Sequence, residues 1–130
     1  MSRRLAQYVL LSALVVVSAG SGRGAHAGLR AGVAPANTVL PSISDTNPRD
    51  GRALTGYAGT WTGTAPLGYA YKWQRCSSTG GSCVAIAGAT ATGHTVVAAD
   101  VGSTLRFTVT TTNGTGSTVA SSNATAVVAP

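Results

Sequence analysis

From Thr38 to the end of the chain, short apolar runs alternate with clusters of Gly, Pro, Asn and Asp. No segment of useful length repeats its apolar residues at the spacing of an amphipathic helix. The runs instead alternate apolar and polar positions, which predicts half-buried strands bounded by turns. We predict strands at residues 38–44, 52–58, 68–76, 83–87, 93–97, 104–112 and 117–128. About seven short strands separated by turns predict an all-β fold, an antiparallel β-sandwich.

Within the predicted strands, alternate residues point to opposite faces, which separates core positions from surface positions. In segment 68–76 the aromatic residues share one face, and Lys72, Gln74 and Cys76 share the other. Segment 104–112 alternates large apolar residues with threonine and arginine in the same way. We therefore predict a core formed by Leu54, Trp73, Val84, Ile86, Val96, Leu105, Phe107 and Val109.

The first residues have the pattern of a secretory signal peptide. Two arginines precede an apolar run at 5–19, and small residues follow at Ala25 and Ala27. Cleavage after Ala27 and cleavage after Ala19 fit the pattern about equally well, and we divide the chain at Ala27. A membrane anchor is the competing interpretation, but the run would span only about 22 Å of a hydrocarbon core of about 30 Å.

The signal peptide predicts a secreted or cell-surface protein that contacts the membrane only transiently during export. The chain then divides into a signal-peptide helix at residues 1–27, a flexible linker at 28–37 and a β-sandwich domain at 38–130.

The two cysteines, Cys76 and Cys83, flank a short turn, and alternation places both on the outer face of neighbouring strands. Facing positions of an antiparallel pair lie within disulfide reach, and an exported protein meets an oxidising compartment. We therefore predict a disulfide that staples this hairpin. A zinc site needs four ligands, and only His94 could join the pair after cleavage at Ala27. A redox pair usually has two intervening residues, whereas six intervene here.

Charge argues against nucleic-acid binding. The formal net charge of +6 comes from scattered residues and from scarce acids, since the chain has no Glu. Removal of the signal peptide takes away Arg3, Arg4 and Arg23, which lowers the charge from +6 to +3. Phosphate binding needs clustered positive charge, so we expect no nucleic-acid partner.

The sequence predicts neither catalysis nor a cofactor. Glycoside hydrolysis usually needs a pair of carboxylates, but the only acids are Asp45, Asp50 and Asp100, and all three lie in predicted turns. Asp100 is interpreted as a turn residue that accepts a hydrogen bond from its own backbone segment, and His94 as a structural residue. The oxygen-rich turn at 45–51 lacks the ligand spacing of a calcium loop, and we predict no metal site.

Trp61 and Tyr57 are the candidate ligand-binding residues. Trp61 lies in a Gly- and Thr-rich segment, where an exposed ring could stack on a sugar. The alternative is that Trp61 covers one end of the sandwich. The sequence leaves both interpretations open.

Several segments of the chain resemble bacterial immunoglobulin-like domains, which are repeated in secreted and cell-surface proteins. The similar segments are "GRALTGYAGTWTG" (51–63), "YAYKWQRCSSTGGSCVAIAGAT" (69–90), "AADVGSTLRFTVTTTNGTGS" (98–117) and "ATAVV" (124–128). The resemblance implies an immunoglobulin-like sandwich of about seven strands that serves in adhesion, as a spacer or in binding. Such a domain would act as a monomer, without enzymatic activity, through its loops and an outer sheet face.

The partner implied by the resemblance is an extracellular protein or a polysaccharide. A carbohydrate-binding module and an accessory domain of an extracellular enzyme are the alternatives. The chain departs from antibody-type domains, because its cysteines would staple one hairpin instead of bridging two sheets. His94 stands where related repeats often carry Tyr.

Overall fold

The computed structural model describes residues 32–130. The predicted signal-peptide helix at 1–27 and the first part of the predicted linker, residues 28–31, lie outside the described residues. Among the residues described, no helix has the length and apolar character needed to cross a membrane.

The described residues form an all-β structure, as the alternating pattern predicts. Its strands are β1 (Ala36–Val39), β2 (Ser42–Ile43), β3 (Ala53–Tyr57), β4 (Thr60–Thr62), β5 (Gly68–Cys76), β6 (Val84–Ala85), β7 (Gly93–Thr95), β8 (Thr104–Thr112) and β9 (Ser117–Ser121). One 3-10 turn, Ala98–Asp100, precedes β8. The strands pair in three antiparallel sheets with the orders β1-β4, β2-β3-β7 and β6-β5-β8-β9. This arrangement is compatible with a β-sandwich.

The first two predicted strands pair as an antiparallel hairpin, but an irregularity at Gly59 divides each of them in two. The register Val39↔Thr60 continues as Ser42↔Tyr57, so β1–β2 and β3–β4 run as one interrupted hairpin. Gly59 has a φ of 78°, and a Cβ there would collide with the backbone of Val39 and Leu40. Only glycine fits this position.

The core lies between the β2-β3-β7 sheet and the four-stranded sheet. Trp73 and Phe107 pack with ring centroids 5.0 Å apart, and the Trp73 indole nitrogen donates a hydrogen bond to the Ala91 carbonyl. Gly56 faces Phe107 so closely that no Cβ would fit. The buried apolar cluster consists of Leu54, Trp73, Val96, Leu105, Phe107, Val109 and Val128.

The structure differs from the predicted core at Val84, whose side chain is 68% exposed. Val84 lies opposite Arg75 on the two-residue edge strand β6. Arg75 extends toward Asp100 at the rim of the sandwich, so Val84 has no apolar layer beneath it. Ile86 is partly buried and packs against the core.

The chain also connects the two sheets along both sides of the core. On one side, Trp73 donates a backbone hydrogen bond to Ala89, and Gly56 donates one to Thr92. On the other side, Ala126 donates to the Thr46 carbonyl. The predicted last strand, 117–128, ends at Ser121 as a regular strand. Ser122 and Thr125 still bond to β8 through irregular contacts that include their side chains, and only then does Ala126 reach Thr46.

Part of the segment predicted as a flexible linker is structured. Strand β1 begins at Ala36, inside that segment. The carbonyls of Val33 and Pro35 accept hydrogen bonds from Asn113 Nδ2 at 2.7 Å and Thr118 Oγ1 at 2.6 Å. These donors lie about 80 residues away in sequence. The local composition, from which a linker was predicted, therefore does not indicate these hydrogen bonds.

Candidate functional site

A polar cluster, formed by the buried Asp100 with Arg75 and His94, joins the two sheets at one rim. Arg75 on β5 donates from Nε and Nη2 to Asp100 Oδ1, at 2.7 and 2.6 Å. His94 Nε2 on β7 lies 3.0 Å from Asp100 Oδ2. The Asp100 side chain has no exposed surface. The carboxylate thus links one residue from each sheet.

The surroundings of Asp100 favour its ionised form. Burial raises the pKa of this carboxyl, but hydrogen bonds from the Val97 N–H, His94 and Arg75, together with the Arg75 charge, outweigh it. The pKa therefore lies below its ordinary value. The hydrogen bonds that the Asp100 carboxylate accepts all come from groups of the protein itself. The Arg75–Asp100 contact is therefore a structural ion pair.

The sequence predicts only part of this cluster. The Asp100 carboxylate accepts a hydrogen bond from the backbone N–H of Val97, which is the local turn contact proposed for it. His94 also packs against Trp73, with ring centroids 5.5 Å apart. Arg75 is the member that sequence reasoning missed. Its position on the aromatic face of segment 68–76 is the one signal that could have revealed it.

The sulfur atoms of Cys76 and Cys83 lie at disulfide-bonding distance, with their Cα atoms 4.0 Å apart. Cys76 is only 2% exposed, although it lies on the opposite side of β5 from Trp73. The turn between the cysteines covers it. Arg106 holds this turn against the sheet, since Nε and Nη2 both donate to the Gly80 carbonyl and Nη1 donates to the Ser122 carbonyl.

Trp61 and Tyr57, the predicted ligand-binding residues, lie on opposite faces of the interrupted hairpin. Trp61 is partly buried, packs against the core and donates from its indole nitrogen to the Ala58 carbonyl at 2.8 Å. Tyr57 points outward and is 53% exposed. The irregularity at Gly59 reverses the alternation between them. The two rings therefore do not form one platform.

The outer side of the four-stranded sheet forms a broad hydrogen-bonding surface, which we call the polar face. Its cross-strand rows are Ala70–Thr110–Val119 and Lys72–Thr108–Ser121. Thr108 Oγ1 donates to Gln74 Oε1 at 2.9 Å and lies 2.8 Å from Ser121 Oγ. The polar face consists of Ala70, Lys72, Gln74, Thr110, Thr112, Ser117, Val119 and Ser121, with Thr108 buried beneath them. Arg106, opposite Gln74, lies at one end of this face, and its guanidinium donates to the Gly80 and Ser122 carbonyls.

A small cleft lies on the side of the sandwich where β2 and the C-terminal segment diverge. Its volume is about 120 Å³. Pro41, Ile43 and Ala124 provide apolar walls, and Asn123 and Thr125 add polar groups. Its size suits one small side chain or a few waters.

The described residues contain no group of three or more His, Cys, Asp or Glu side chains placed to hold a metal ion. In the turn at 45–51, the Asp45 carboxylate is paired with Arg52 at 3.0 Å and accepts a hydrogen bond from the Asn47 N–H. Comparisons of the chain with protein families, with curated proteins and with solved structures found no match.

Proposed function

We propose that the chain is an exported, non-catalytic module with an immunoglobulin-like fold that contacts an extracellular protein or polysaccharide through its polar face. Its strand order supports the fold. Treating β1–β2 and β3–β4 as single strands, the sheets contain strands one, two and five, and strands four, three, six and seven. Seven-stranded immunoglobulin sandwiches share the groups one-two-five and three-six-seven, but they place the fourth strand beside the fifth, whereas here it pairs with the third.

The polar face is the observation that carries this proposal. Its residues lie on the regular strands β5, β8 and β9, and hydrogen bonds between side chains fix Gln74, Thr108 and Ser121. Residues on strands hold their positions more precisely than residues on loops, so a ligand would meet a surface that already has its binding shape. The role as a contact module is therefore supported by ordered side chains on regular strands, among which Lys72 is the only exposed cation of the polar face.

The non-catalytic role is supported by the contacts of the acids in the described residues. Asp100 is held by Arg75 and His94, and Asp45 is held by Arg52. Export is supported by the signal-peptide pattern and by cysteines at bonding distance. Within this proposal the module acts as a monomer, meets the membrane only during export and binds no nucleic acid.

Retention of the chain on insoluble polysaccharides and isolated bacterial cell walls tests the proposal. Val119→Glu adds a bulky anion to the polar face, where Val119 is 60% exposed on the edge strand β9. Thr95→Glu, on the exposed side of the edge strand β7, adds the same group to the opposite sheet. We expect Val119→Glu to lose retention and Thr95→Glu to keep it. Equal retention of both variants would contradict the proposal.

Carbohydrate binding at Tyr57 is the second candidate, because this aromatic ring is exposed on the opposite sheet. Tyr57→Ala is the test, and Tyr69→Ala is the matched control, since Tyr69 is 45% exposed on β5. Loss of retention in Tyr57→Ala alone would favour this candidate over the polar face. Equal retention would remove it for the glycans used.

A further inference from the structure

We propose that the polar face binds a carboxylate-bearing polysaccharide, with Lys72 and Gln74 as its contacts. This inference rests on the proposed function, because it names the ligand class of the same surface. It follows from the placement of hydrogen-bond donors, from the distribution of acids and from the side chains that the surface lacks.

The donors on the polar face are oriented outward by the contacts beneath them. The Thr108 hydroxyl gives its only proton to Gln74 Oε1, so the Ser121 hydroxyl donates to Thr108. The amide oxygen of Gln74 is thereby occupied. Its Nε2 group, with two N–H donors, makes no hydrogen bond to any described residue.

Lys72 stands directly opposite Thr108, two positions before Gln74 on the same face of β5. It is exposed, and none of the ion pairs among the described residues includes it. The polar face therefore presents an ammonium group and an amide donor side by side. A carboxylate accepts from both, with the charge-assisted bond to Lys72 the stronger of the two.

The acids of the described chain lie away from this surface. Asp100 is buried at the rim, and Asp45 is paired with Arg52 in the turn at 45–51. Asp50 belongs to the same turn. No carboxylate therefore competes for Lys72 or repels an anion approaching the polar face.

The composition of the polar face selects a polysaccharide over a protein. Interfaces between proteins depend on buried Trp, Tyr and Arg anchors, and no aromatic residue lies on this face. Neutral sugars are usually held by stacking on such rings, which also argues against them. An extended polymer that repeats carboxylate and hydroxyl groups needs only donors on a flat surface.

Binding of the full chain to polygalacturonate, with dextran as the neutral probe, tests this inference. We expect binding to polygalacturonate that weakens at high ionic strength, and little binding to dextran. Lys72→Gln should weaken binding about tenfold, because it removes the charge but keeps a polar side chain. Gln74→Glu should weaken it at least as much, since it replaces the outward donor with an anion.

Arg49→Gln is the matched control, because Arg49 is exposed and lies outside the polar face. It removes the same charge and should leave binding within about twofold of the unmodified chain. Thermal unfolding of each variant shows whether its fold is kept. Equal losses in Lys72→Gln and Arg49→Gln would overturn the inference, as would tighter binding to single-stranded DNA than to polygalacturonate.

The outcomes also separate this inference from the proposed function. If the chain does not bind polygalacturonate but is retained on a neutral polysaccharide, and Val119→Glu abolishes that retention, the ligand class is wrong and the contact surface stands. If Val119→Glu changes no retention, both proposals fail.

Discussion

At the scale of single residues, Asp100 is a buried charge that depends on hydrogen bonds from both sheets. Its carboxylate is fully buried and accepts hydrogen bonds from two side chains and one backbone N–H. Removing one partner of a buried ion pair is costly, because the remaining charge stays desolvated. The stability of the sandwich should therefore depend on Asp100 more than on any exposed acid.

Asp100→Asn should lower the free energy of unfolding by about 3 kcal/mol. The reason is that Arg75 and His94 lose the anion that joins the two sheets. Urea denaturation measures the change. Asp50→Asn is the control, since Asp50 is exposed and forms no ion pair within the described chain, and it should change stability by less than about 0.5 kcal/mol. Similar values for both variants would contradict this role.

The lowered pKa of Asp100 predicts the pH dependence of stability. Because its folded pKa lies below the unfolded value of about 3.9, the unfolded chain binds more protons in that interval. The stabilisation is fully present above the unfolded pKa and is lost as the pH falls through the folded pKa. Denaturation at a series of acidic pH values should show this loss in the unmodified chain. An equally steep loss in Asp100→Asn would show that another group causes it.

Thr111 shows the opposite case, a buried polar atom without a partner. Its hydroxyl makes no hydrogen bond, and the residue is fully buried. Thr111→Val keeps the shape and removes the unsatisfied hydroxyl, so it should raise the free energy of unfolding by about 1 kcal/mol. Thr112→Val is the control, because the exposed Thr112 hydroxyl is bonded to Ser117 and its loss brings no gain. Destabilisation by Thr111→Val would contradict this interpretation.

At the scale of elements, the interrupted hairpin formed by β1 to β4 determines which residues reach the core. The irregularity at Gly59 turns Trp61 inward while Tyr57 stays outward. A strand with unbroken alternation would place both residues on the same face. The sequence could not reveal this reversal, because it depends on the close approach of Gly59 to the backbone of Val39.

Gly59→Ala should lower the free energy of unfolding by at least about 2 kcal/mol, because a Cβ there collides with backbone atoms of the neighbouring strand. Gly88→Ala separates this effect from strain alone. Gly88 has a nearly equal φ of 77°, against 78° at Gly59, but nothing lies near its Cβ position. It should cost about 1 kcal/mol. Equal losses on urea denaturation would show that the collision is not the cause.

The hairpin of β5 and β6 is held by two contacts, the cysteine pair and Arg106. If the cysteines are bonded, the double variant Cys76→Ser, Cys83→Ser should lower the free energy of unfolding by about 2–3 kcal/mol, because the unfolded chain regains its freedom. The hydrogen bonds from Arg106 to Gly80 should still hold the turn in the folded state. Free thiol in the unmodified native and denatured chain would contradict the bond itself.

At the scale of the whole molecule, the sequence predicts what depends on local alternation. The structure buries Leu105, Phe107 and Val109, because their positions on one face of a strand follow from the spacing alone. Contacts between distant segments are not predictable in this way. The Arg75–Asp100 pair and the bond from Asn113 to Val33 each require the complete fold.

The polar face also combines features that the sequence predicts with features that only the complete fold determines. Its residues alternate visibly with core residues in segments 68–76 and 104–112. Its boundaries depend on the register between β5, β8 and β9, which places Lys72 beside Thr108 and Ser121. The sequence thus predicts that an outer face exists, and the sheet order determines which side chains share it.

The most direct test of the central proposal is to map the contact surface by amide chemical shifts of the isotopically labelled chain. Oligogalacturonate and neutral glucan oligosaccharides serve as probes. We predict that one of them shifts the amides of Lys72, Thr110 and Val119 and leaves those of Thr55 and Thr95 on the opposite sheet unchanged. Shifts centred on Tyr57 and the β1–β4 hairpin would contradict the assignment of the polar face as the contact surface.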